Sequence, residues 1–228
     1  MLRNYPGLRE GTPFVIFFLF LCLLAALLSS IFKHYALACL SMVFFMLTLF
    51  TLYFFRDPDR AREQVGKGND LREVLSPADG RVLDVIEIFE PRYLHYPAKR
   101  VSIFMSIFNV HVNRSPVEGK IEYLHYNPGK FMSAFKEKAS LDNEQISIGV
   151  IKKSQGEPDK KLLFTLIAGL IARRIVLWKK ESDQVKKGER IGMIRFGSRV
   201  DLYLPREAEV MIKKGQHVMA GKTVIGYW

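Results

Sequence analysis

Cysteine is almost absent from this chain, which has two among its 228 residues and no Cys-X-X-Cys pair. Cys22 and Cys39 both lie in long apolar runs, so no disulfide framework can be drawn and a structural zinc site is excluded. The sequence also contains no Walker loop, no GxGxxG motif after a strand, no GxSxG elbow and no HExxH pair. It therefore excludes motif-defined nucleotide sites, elbow-type serine hydrolases and zinc proteases.

Acidic residues are few relative to basic ones. The chain has 34 Lys and Arg against 23 Asp and Glu, a formal net charge of +11. This surplus points to an anionic partner, either nucleic acid or the negatively charged face of a membrane. The basic residues are not interleaved with aromatic residues as in RNA-binding motifs, so we expect a membrane partner and no nucleic acid.

Charged residues are missing altogether from two segments of 20 residues, 13–32 and 36–55. Each is long enough for a helix of about 30 Å, the thickness of a bilayer core. A signal peptide has an apolar core of only about 7–15 residues, and a soluble helix pair would carry a polar face. We therefore predict that residues 1–55 form a membrane anchor of two transmembrane helices joined by a tight turn at 33–35.

The charges around these segments predict their orientation. Arg3 and Arg9 precede the first apolar segment, and the second is followed closely by Arg56, Arg60, Arg62 and Lys67, whereas only Lys33 lies at the turn. Cytoplasmic flanks carry the excess of Lys and Arg. We expect both ends of the anchor, and all of residues 56–228, on the cytoplasmic side of the cell membrane.

Residues 56–228 read mainly as short alternating strands separated by turns, with one amphipathic helix near 130–140. Two patterns recur. "SPADGRV" (76–82) is echoed by "SPVEGKI" (115–121), and "VKKGERIG" (185–192) is echoed within residues 212–226. Such Lys-Gly turns are typical of sandwich-barrels such as lipoyl carrier domains, and their simplest interpretation is as β-hairpins. The prediction is a single α+β, β-rich domain with sandwich-barrel-like elements.

A Gly-Ser pair, Gly197-Ser198, interrupts two strand-like segments in "MIRFGSRVDLYLP" (193–205). A turn would explain the pair, since glycine supplies unusual backbone angles and serine is common in loops. A reactive backbone bond would explain it equally well. Two further candidates for chemistry are His111, which follows an apolar strand, and Asp79, which also fits an ordinary Asp-Gly turn.

Eight stretches carry a resemblance to a known family. They are "YFFRDPDR" (53–60), "SPADGRV" (76–82), "IFMSIFNVHVNRSPVEG" (103–119), "NPGKF" (127–131), "DNEQ" (142–145), "IAGLIARRIV" (167–176), "KKGERIGMIRFGSRVDLYLP" (186–205) and "KKGQHVMAGKTVIG" (213–226). In this order the chain resembles the phosphatidylserine decarboxylases, in their short, membrane-anchored prokaryotic form.

The resemblance implies an answer to the Gly-Ser question. In this family the proenzyme cuts itself at a Gly-Ser bond, here Gly197-Ser198, into a β chain (1–197) and an α chain (198–228) that stay associated. Ser198 would become a covalent pyruvoyl cofactor, which forms a Schiff base with the amine of the lipid. The implied reaction converts phosphatidylserine, an anionic phospholipid, to phosphatidylethanolamine and carbon dioxide, with no metal.

The resemblance also assigns supporting residues. Asp79 matches the aspartate of the family's SPxDG motif, and His111 matches the first of two histidines found in the larger branch. The second histidine is replaced by Arg114, so the resemblance leaves open which residue is the base for self-cleavage. His111 is the candidate for that base, for the proton donor after decarboxylation, or for both. Candidate contacts to the lipid phosphate are Lys130, Arg173 and Arg174, unless these are solvated surface charges.

Two alternatives stay open at the level of the sequence. One is a decarboxylase of another seryl lipid, such as archaetidylserine, because the chemistry concerns only the seryl head group. The other is a non-enzymatic, membrane-anchored adaptor or carrier domain in which "FGS" is a plain hairpin turn.

Overall fold

The computed structural model describes residues 5–60, 72–129, 143–153, 159–169, 174–195 and 197–228. The chain forms two compact units, Met1–Pro58 and Asp59–Trp228. The amphipathic helix predicted near 130–140 lies outside the described residues.

The first unit is a helical hairpin of α1 (Pro6–Phe32) and α2 (Tyr35–Phe54). Proline in its first turn suits the start of α1, and Lys33 in the left-handed conformation (φ 53°) ends it. Both helices are long and apolar enough to cross a membrane, and only 11% and 17% of their most apolar windows are buried. Helices with so much uncovered apolar surface are consistent with membrane anchoring and unlike the core helices of a soluble protein.

The two helices are held together by a few close contacts. Ser41 Oγ donates a hydrogen bond to the Cys22 carbonyl (3.0 Å). Near the start of α1 and the end of α2, the rings of Phe14 and Phe55 stack with centroids 5.8 Å apart. A Cβ at Gly11 would lie 2.6 Å from the Phe55 side chain, so glycine permits this approach of α1 to the end of α2.

The second unit is built of strands. Those in the described residues are β1 Glu73–Leu75, β2 Gly80–Glu90, β3 Tyr96–Met105, β4 Val112–Arg114, β5 Gly119–Asn127, β6 Gln145–Lys152, β7 Lys160–Ala168, β8 Ile175–Leu177, β9 Gln184–Val185, β10 Arg190–Ile194, β11 Ser198–Pro205, β12 Glu209–Val210, β13 His217–Val218 and β14 Val224–Tyr227. The predicted α+β, β-rich class with an N-terminal helix pair is confirmed.

The strands form one large sheet and two small ones. The large sheet has the order β13-β2-β3-β11-β7-β6-β5-β9, and the small sheets have the orders β1-β14-β12 and β4-β10-β8. One continuous apolar cluster contains Val101 and Phe164 of the large sheet together with Val74 and Ile191 of the small ones. The core of the unit therefore lies between one face of the large sheet and the two small sheets.

The echoes in the sequence correspond to an internal repeat of this unit. The strands form two equivalent sets, and exchanging the sets strand for strand reproduces the same sheet orders. One set is β1, β2, β3, β11, β12, β13 and β14, and its equivalents in the same order are β4, β5, β6, β7, β8, β9 and β10. The two Ser-Pro turns also share their hydrogen bonds, since Ser76 Oγ donates to the Ala78 carbonyl (2.7 Å) and Ser115 Oγ to the Val117 carbonyl (2.6 Å). Each half thus places an equivalent turn at the start of a long strand.

The interpretation of the Lys-Gly turns as β-hairpins is wrong. The turn at 186–189 follows β9, which pairs with β5, and precedes β10, which pairs with β4 and β8. The turn after β13 likewise leads from the large sheet to a small one. These turns are therefore crossings between sheets. The sequence could not predict this, because alternation along a strand defines which face is apolar but not which strand is its neighbour.

Candidate active site

Strand β11 places Ser198 on the apolar face of the large sheet. Side chains alternate along a strand, so Ser198 shares a face with Val200 and Leu202, which are core residues, while Arg199 and Asp201 point to the other face. Ser198 is fully buried. A serine buried at the end of a row of core residues has lost its hydrogen bonds to water. Its hydroxyl group therefore needs a hydrogen-bond partner within the protein.

The hydroxyl of Ser198 contacts a sulfur atom. In the register of the sheet Ser198 lies opposite Met105 of β3 and Ala168 of β7, and its Oγ donates to Met105 Sδ over 3.3 Å. Across the described ranges Oγ has no other hydrogen-bond partner. A thioether is a weak acceptor and no base, so Met105 can orient the hydroxyl but cannot remove its proton.

Gly197 carries an unusual backbone angle next to this serine. Its φ is +47°, in the left-handed region that costs other residues about 1–2 kcal/mol. A Cβ built on Gly197 would meet no atom of the described residues within 4 Å, so the conformation and not a lack of space is the reason for glycine.

The Gly-Ser pair is not a hairpin turn. Strand β10 before it pairs with β4 and β8, whereas β11 after it pairs with β3 and β7. The expectation of a plain hairpin at "FGS", on which the adaptor alternative depended, is therefore wrong. The bond between Gly197 and Ser198 lies where the chain passes from a small sheet into the centre of the large one.

His111 is fully buried just before β4. Its Nδ1 lies 3.0 Å from the Asn109 carbonyl oxygen. A carbonyl can only accept a hydrogen bond, so Nδ1 carries the hydrogen and Nε2 is the basic nitrogen of the neutral ring. Asn109 is itself held in a turn, because its Oδ1 accepts from both the backbone N–H and the hydroxyl of Ser106 (2.8 Å each). The imidazole is thus fixed in one tautomer by a rigid turn.

Asp79 follows the first Ser-Pro turn and is engaged by Arg60. The guanidinium bridges both carboxylate oxygens at 2.5 and 2.8 Å, and the Ala220 N–H donates to Oδ1 over 2.7 Å. Both side chains are nearly buried. No hydrogen bond joins Asp79 to His111 or Ser198 in the described part of the chain. Asp79 therefore ties the Ser-Pro turn to the turn before β14.

Replacing Arg60 with alanine would leave the Asp79 carboxylate buried without its cation. Removing one partner of a buried ion pair costs about 3–5 kcal/mol, so we expect a clear fall in the melting temperature of Arg60→Ala. The matched control is Arg206→Ala, whose pair with Glu87 is 3.6 Å long and exposed on both sides. That control should lose less than about 1 kcal/mol. Thermal unfolding in detergent measures both, and equal shifts would contradict the prediction.

Arg114 stands where the larger branch of the resembling family has its second histidine. Its side chain is buried, and Nη1 donates to the Gly188 carbonyl over 2.9 Å. Its backbone N–H donates to the Pro77 carbonyl (2.9 Å). Arg114 therefore links the Ser-Pro turn of one half to a Lys-Gly turn of the other.

The candidate phosphate contacts are only partly described. Lys130 and Arg173 lie outside the described residues, and Arg174 is exposed just before β8. Across the described ranges no group of three His, Cys, Asp or Glu side chains could hold a metal ion.

Two buried amide side chains near Ser198 were missed by the sequence analysis. Asn143 is fully buried, and its Nδ2 donates to the carbonyl of Ala168, the residue opposite Ser198 (2.7 Å). Asn113 is also fully buried and lies 3.6 Å from Met105 Sδ. The signal that could have found them is an amide side chain at a position where the surrounding pattern requires an apolar one.

The other face of β11 carries a separate buried network. Arg199 Nε donates to Asp201 Oδ1 (2.6 Å) and Nη2 to Ser102 Oγ (2.7 Å), so this ion pair is satisfied within the sheet. Burial, with the nearby Asp201 carboxylate, raises the pKa of Tyr203 to about 12. The phenol of Tyr203 is therefore neutral at pH 7.

Comparison with known proteins gives a consistent result. The family model described as phosphatidylserine decarboxylase matches residues 47–226. Curated relatives named phosphatidylserine decarboxylase proenzyme include that of Desulfotalea psychrophila, 42% identical over 97% of this chain and 96% of the relative, and that of Carboxydothermus hydrogenoformans, 49% identical over 82% and 84%. The relative from Rickettsia bellii is 48% identical over 95% of this chain and 88% of its own.

Proposed function

The chain belongs to the phosphatidylserine decarboxylase family, and from this premise we propose that it is made as a proenzyme, cuts itself at Gly197-Ser198 and decarboxylates phosphatidylserine to phosphatidylethanolamine. It is an enzyme of the carboxy-lyase class. The observation that carries the position of the cut is a fully buried serine, facing the core, directly after a glycine with positive φ.

The first step is an attack by Ser198 Oγ on the carbonyl carbon of Gly197. The C–N bond breaks as the C–O bond forms, so the amide becomes an ester and residue 198 gains a free amine. Glycine leaves the carbonyl unshielded and tolerates the angles of a strained link. A base must take the hydroxyl proton, because a serine hydroxyl is a weak nucleophile at its ordinary pKa.

The second step is an elimination that the burial of Ser198 favours. Loss of the Cα proton of residue 198 expels the Gly197 carboxylate and leaves a carbon–carbon double bond at residue 198. Addition of one water and release of one ammonia then give the pyruvoyl group. If water reached the ester before the elimination, the ester would be hydrolysed instead. Because residue 198 is fully buried, access of water to the ester is restricted.

Strand pairing supports the retention of the short α chain after the cut. Strand β11 pairs along its whole length with β3 and over six residues with β7. Strand β14 pairs with β1, and β13 pairs with β2. Residues 198–228 would therefore remain held by four β-ladders with the β chain, and the new terminus would stay at the site where it forms.

The pyruvoyl group would supply a ketone that condenses with the amine of the lipid and accepts the electron pair when carbon dioxide leaves. The residues around Ser198 fit such a group, since its position is buried beside apolar strands and the neighbouring Met105 sulfur has no charge. His111 holds its basic Nε2 in a buried position. We assign to it the proton transfer of self-cleavage, the protonation of the substrate carbon after decarboxylation, or both.

The apolar hairpin is proposed to hold the enzyme in the membrane that contains its substrate. The charge asymmetry around α1 and α2 supports a catalytic unit on the cytoplasmic side. An anionic lipid in that leaflet matches a chain with a net charge of +11. Lys130, Arg173 and Arg174 are the candidates for contacts to its phosphate.

Intact mass of the purified protein tests this function most directly. We expect two chains, 1–197 and 198–228, with the shorter one blocked at its N-terminus and reactive toward hydroxylamine or borohydride. The preparation should release carbon dioxide from phosphatidylserine in mixed vesicles, and an ether-linked seryl lipid presented in parallel tests the choice of lipid. A single 26.3 kDa chain without a reactive carbonyl would overturn the proposal.

A further inference from the structure

The internal repeat provides a comparison that isolates one residue. Strand β1 pairs with β14 so that Val74 lies opposite Gly226, and β4 pairs with β10 so that Asn113 lies opposite Gly192. Both residues come two positions before the serine of a Ser-Pro turn, and both are fully buried. Val74 and Asn113 are therefore equivalent positions, one apolar and one polar.

The fold does not require an amide at this position. Val74 belongs to the main apolar core, so the same backbone environment accepts a valine. Asparagine is also a poor strand former, and a buried polar group lowers stability unless it is well paired. The fold and its stability therefore do not explain why one half of the repeat has Asn113 where the other has Val74.

The contacts of Asn113 are weak for a buried amide. Its Nδ2 donates to the Pro77 carbonyl over 3.4 Å and lies 3.6 Å from Met105 Sδ. Among the described residues its Oδ1 has no hydrogen-bond partner. The Pro77 carbonyl is already paired with the Arg114 N–H (2.9 Å), so it gains little from the amide. A residue with this cost is retained where it serves a site.

One of those contacts leads to Ser198. Met105 Sδ is the atom to which Ser198 Oγ donates, so the sulfur receives the serine hydroxyl and the Asn113 amide together. His111 lies two residues before Asn113, just ahead of β4. From this arrangement we infer that Asn113 is a positioning residue for self-cleavage, which holds the Met105 thioether so that the Ser198 hydroxyl is directed for attack.

This inference deepens the proposed function and rests on the cut at Gly197-Ser198. The position of a nucleophile has a large effect on rate, since a displacement of about 1 Å can cost about 100-fold. The internal repeat supplies the variant that tests it, Asn113→Val, which copies the residue at the equivalent position. That change removes a buried polar atom that has no partner among the described residues, so the melting temperature should stay the same or rise.

The experiment follows self-cleavage over time. Full-length wild type, Asn113→Val, Met105→Leu and the double variant are made by pulse-labelled cell-free synthesis in the presence of phosphatidylcholine vesicles, and the chains are separated on denaturing gels. We expect Asn113→Val to be cut about 10- to 100-fold more slowly than wild type without a fall in melting temperature. In the Met105→Leu background the same change should have little further effect, because the two residues act together.

A stability control completes the set. Val74→Ala makes a cavity in the equivalent half, so it should lower the melting temperature while leaving the cleavage rate unchanged. Asn113→Val cut at the wild-type rate would overturn the inference, and so would an equal slowing in the Met105→Leu background. A wild type that stays uncut would instead refute the proposed function, so the two failures are distinguishable.

Discussion

The Ser198→Ala variant should remain a single chain of 26.3 kDa with no detectable decarboxylase activity. Without Oγ there is no nucleophile for the Gly197 carbonyl, no ester and no pyruvoyl group. The effect is complete in principle, because both the cut and the cofactor depend on the same oxygen atom. Denaturing gels, intact mass and release of carbon dioxide from phosphatidylserine measure it.

The control for this variant is another buried serine of the same sheet. Ser147 lies in β6, and its hydroxyl is 3.1 Å from Thr165 Oγ1. Ser147→Ala removes a buried hydroxyl from the same sheet without touching the Gly-Ser bond, so it should be cut and active. Cleavage of Ser198→Ala would show that the serine at 198 is not the nucleophile. Loss of cleavage in both variants would contradict an effect that is specific to residue 198.

The second large effect concerns His111. Replacing it with alanine should slow self-cleavage, lower the turnover of the cleaved enzyme, or do both, by at least about 100-fold in the affected step. The imidazole is the buried group whose tautomer is fixed by a carbonyl, with Nε2 as its basic atom. Single-chain and two-chain fractions report on cleavage, and turnover is expressed per cleaved chain.

Two control variants distinguish a loss of chemistry at His111 from a loss of packing. His217 is exposed in β13, so His217→Ala should match the wild type in both steps. His111→Gln fills most of the same volume and should lose the chemistry while its melting temperature stays near that of the wild type. Normal cleavage together with normal turnover of His111→Ala would remove this residue from the mechanism.

Much of the fold was predictable because it depends on local patterns. Charge-free runs predicted the two helices, and alternation predicted a strand-rich domain with strand-like segments on either side of Gly197-Ser198, where the structure has β10 and β11. Strands as short as β1, β4 and β9 cannot be predicted in this way, because two or three residues carry no period and are defined only by their partners. The same reason explains the error over hairpins, since the identity of a neighbouring strand is not a local property.

The candidate site divides in the same way. Gly197, Ser198, Asp79 and His111 were identified from motifs, which are continuous in the sequence. The sequence assigned no partner to Arg60, although the fold brings its guanidinium to the carboxylate of Asp79, 19 residues further along the chain. Contacts of this kind depend on how separate segments pack.

The sequence by itself determined the family, the apolar hairpin and the Gly-Ser bond, because each is written in consecutive residues. Only the tertiary structure decided that this bond lies between two sheets and that its serine faces the core against a sulfur atom. It alone also distinguished the two halves of the repeat, one with Asn113 and the other with Val74. Burial and strand partnership arise from packing between distant segments, and packing exists only in the folded chain.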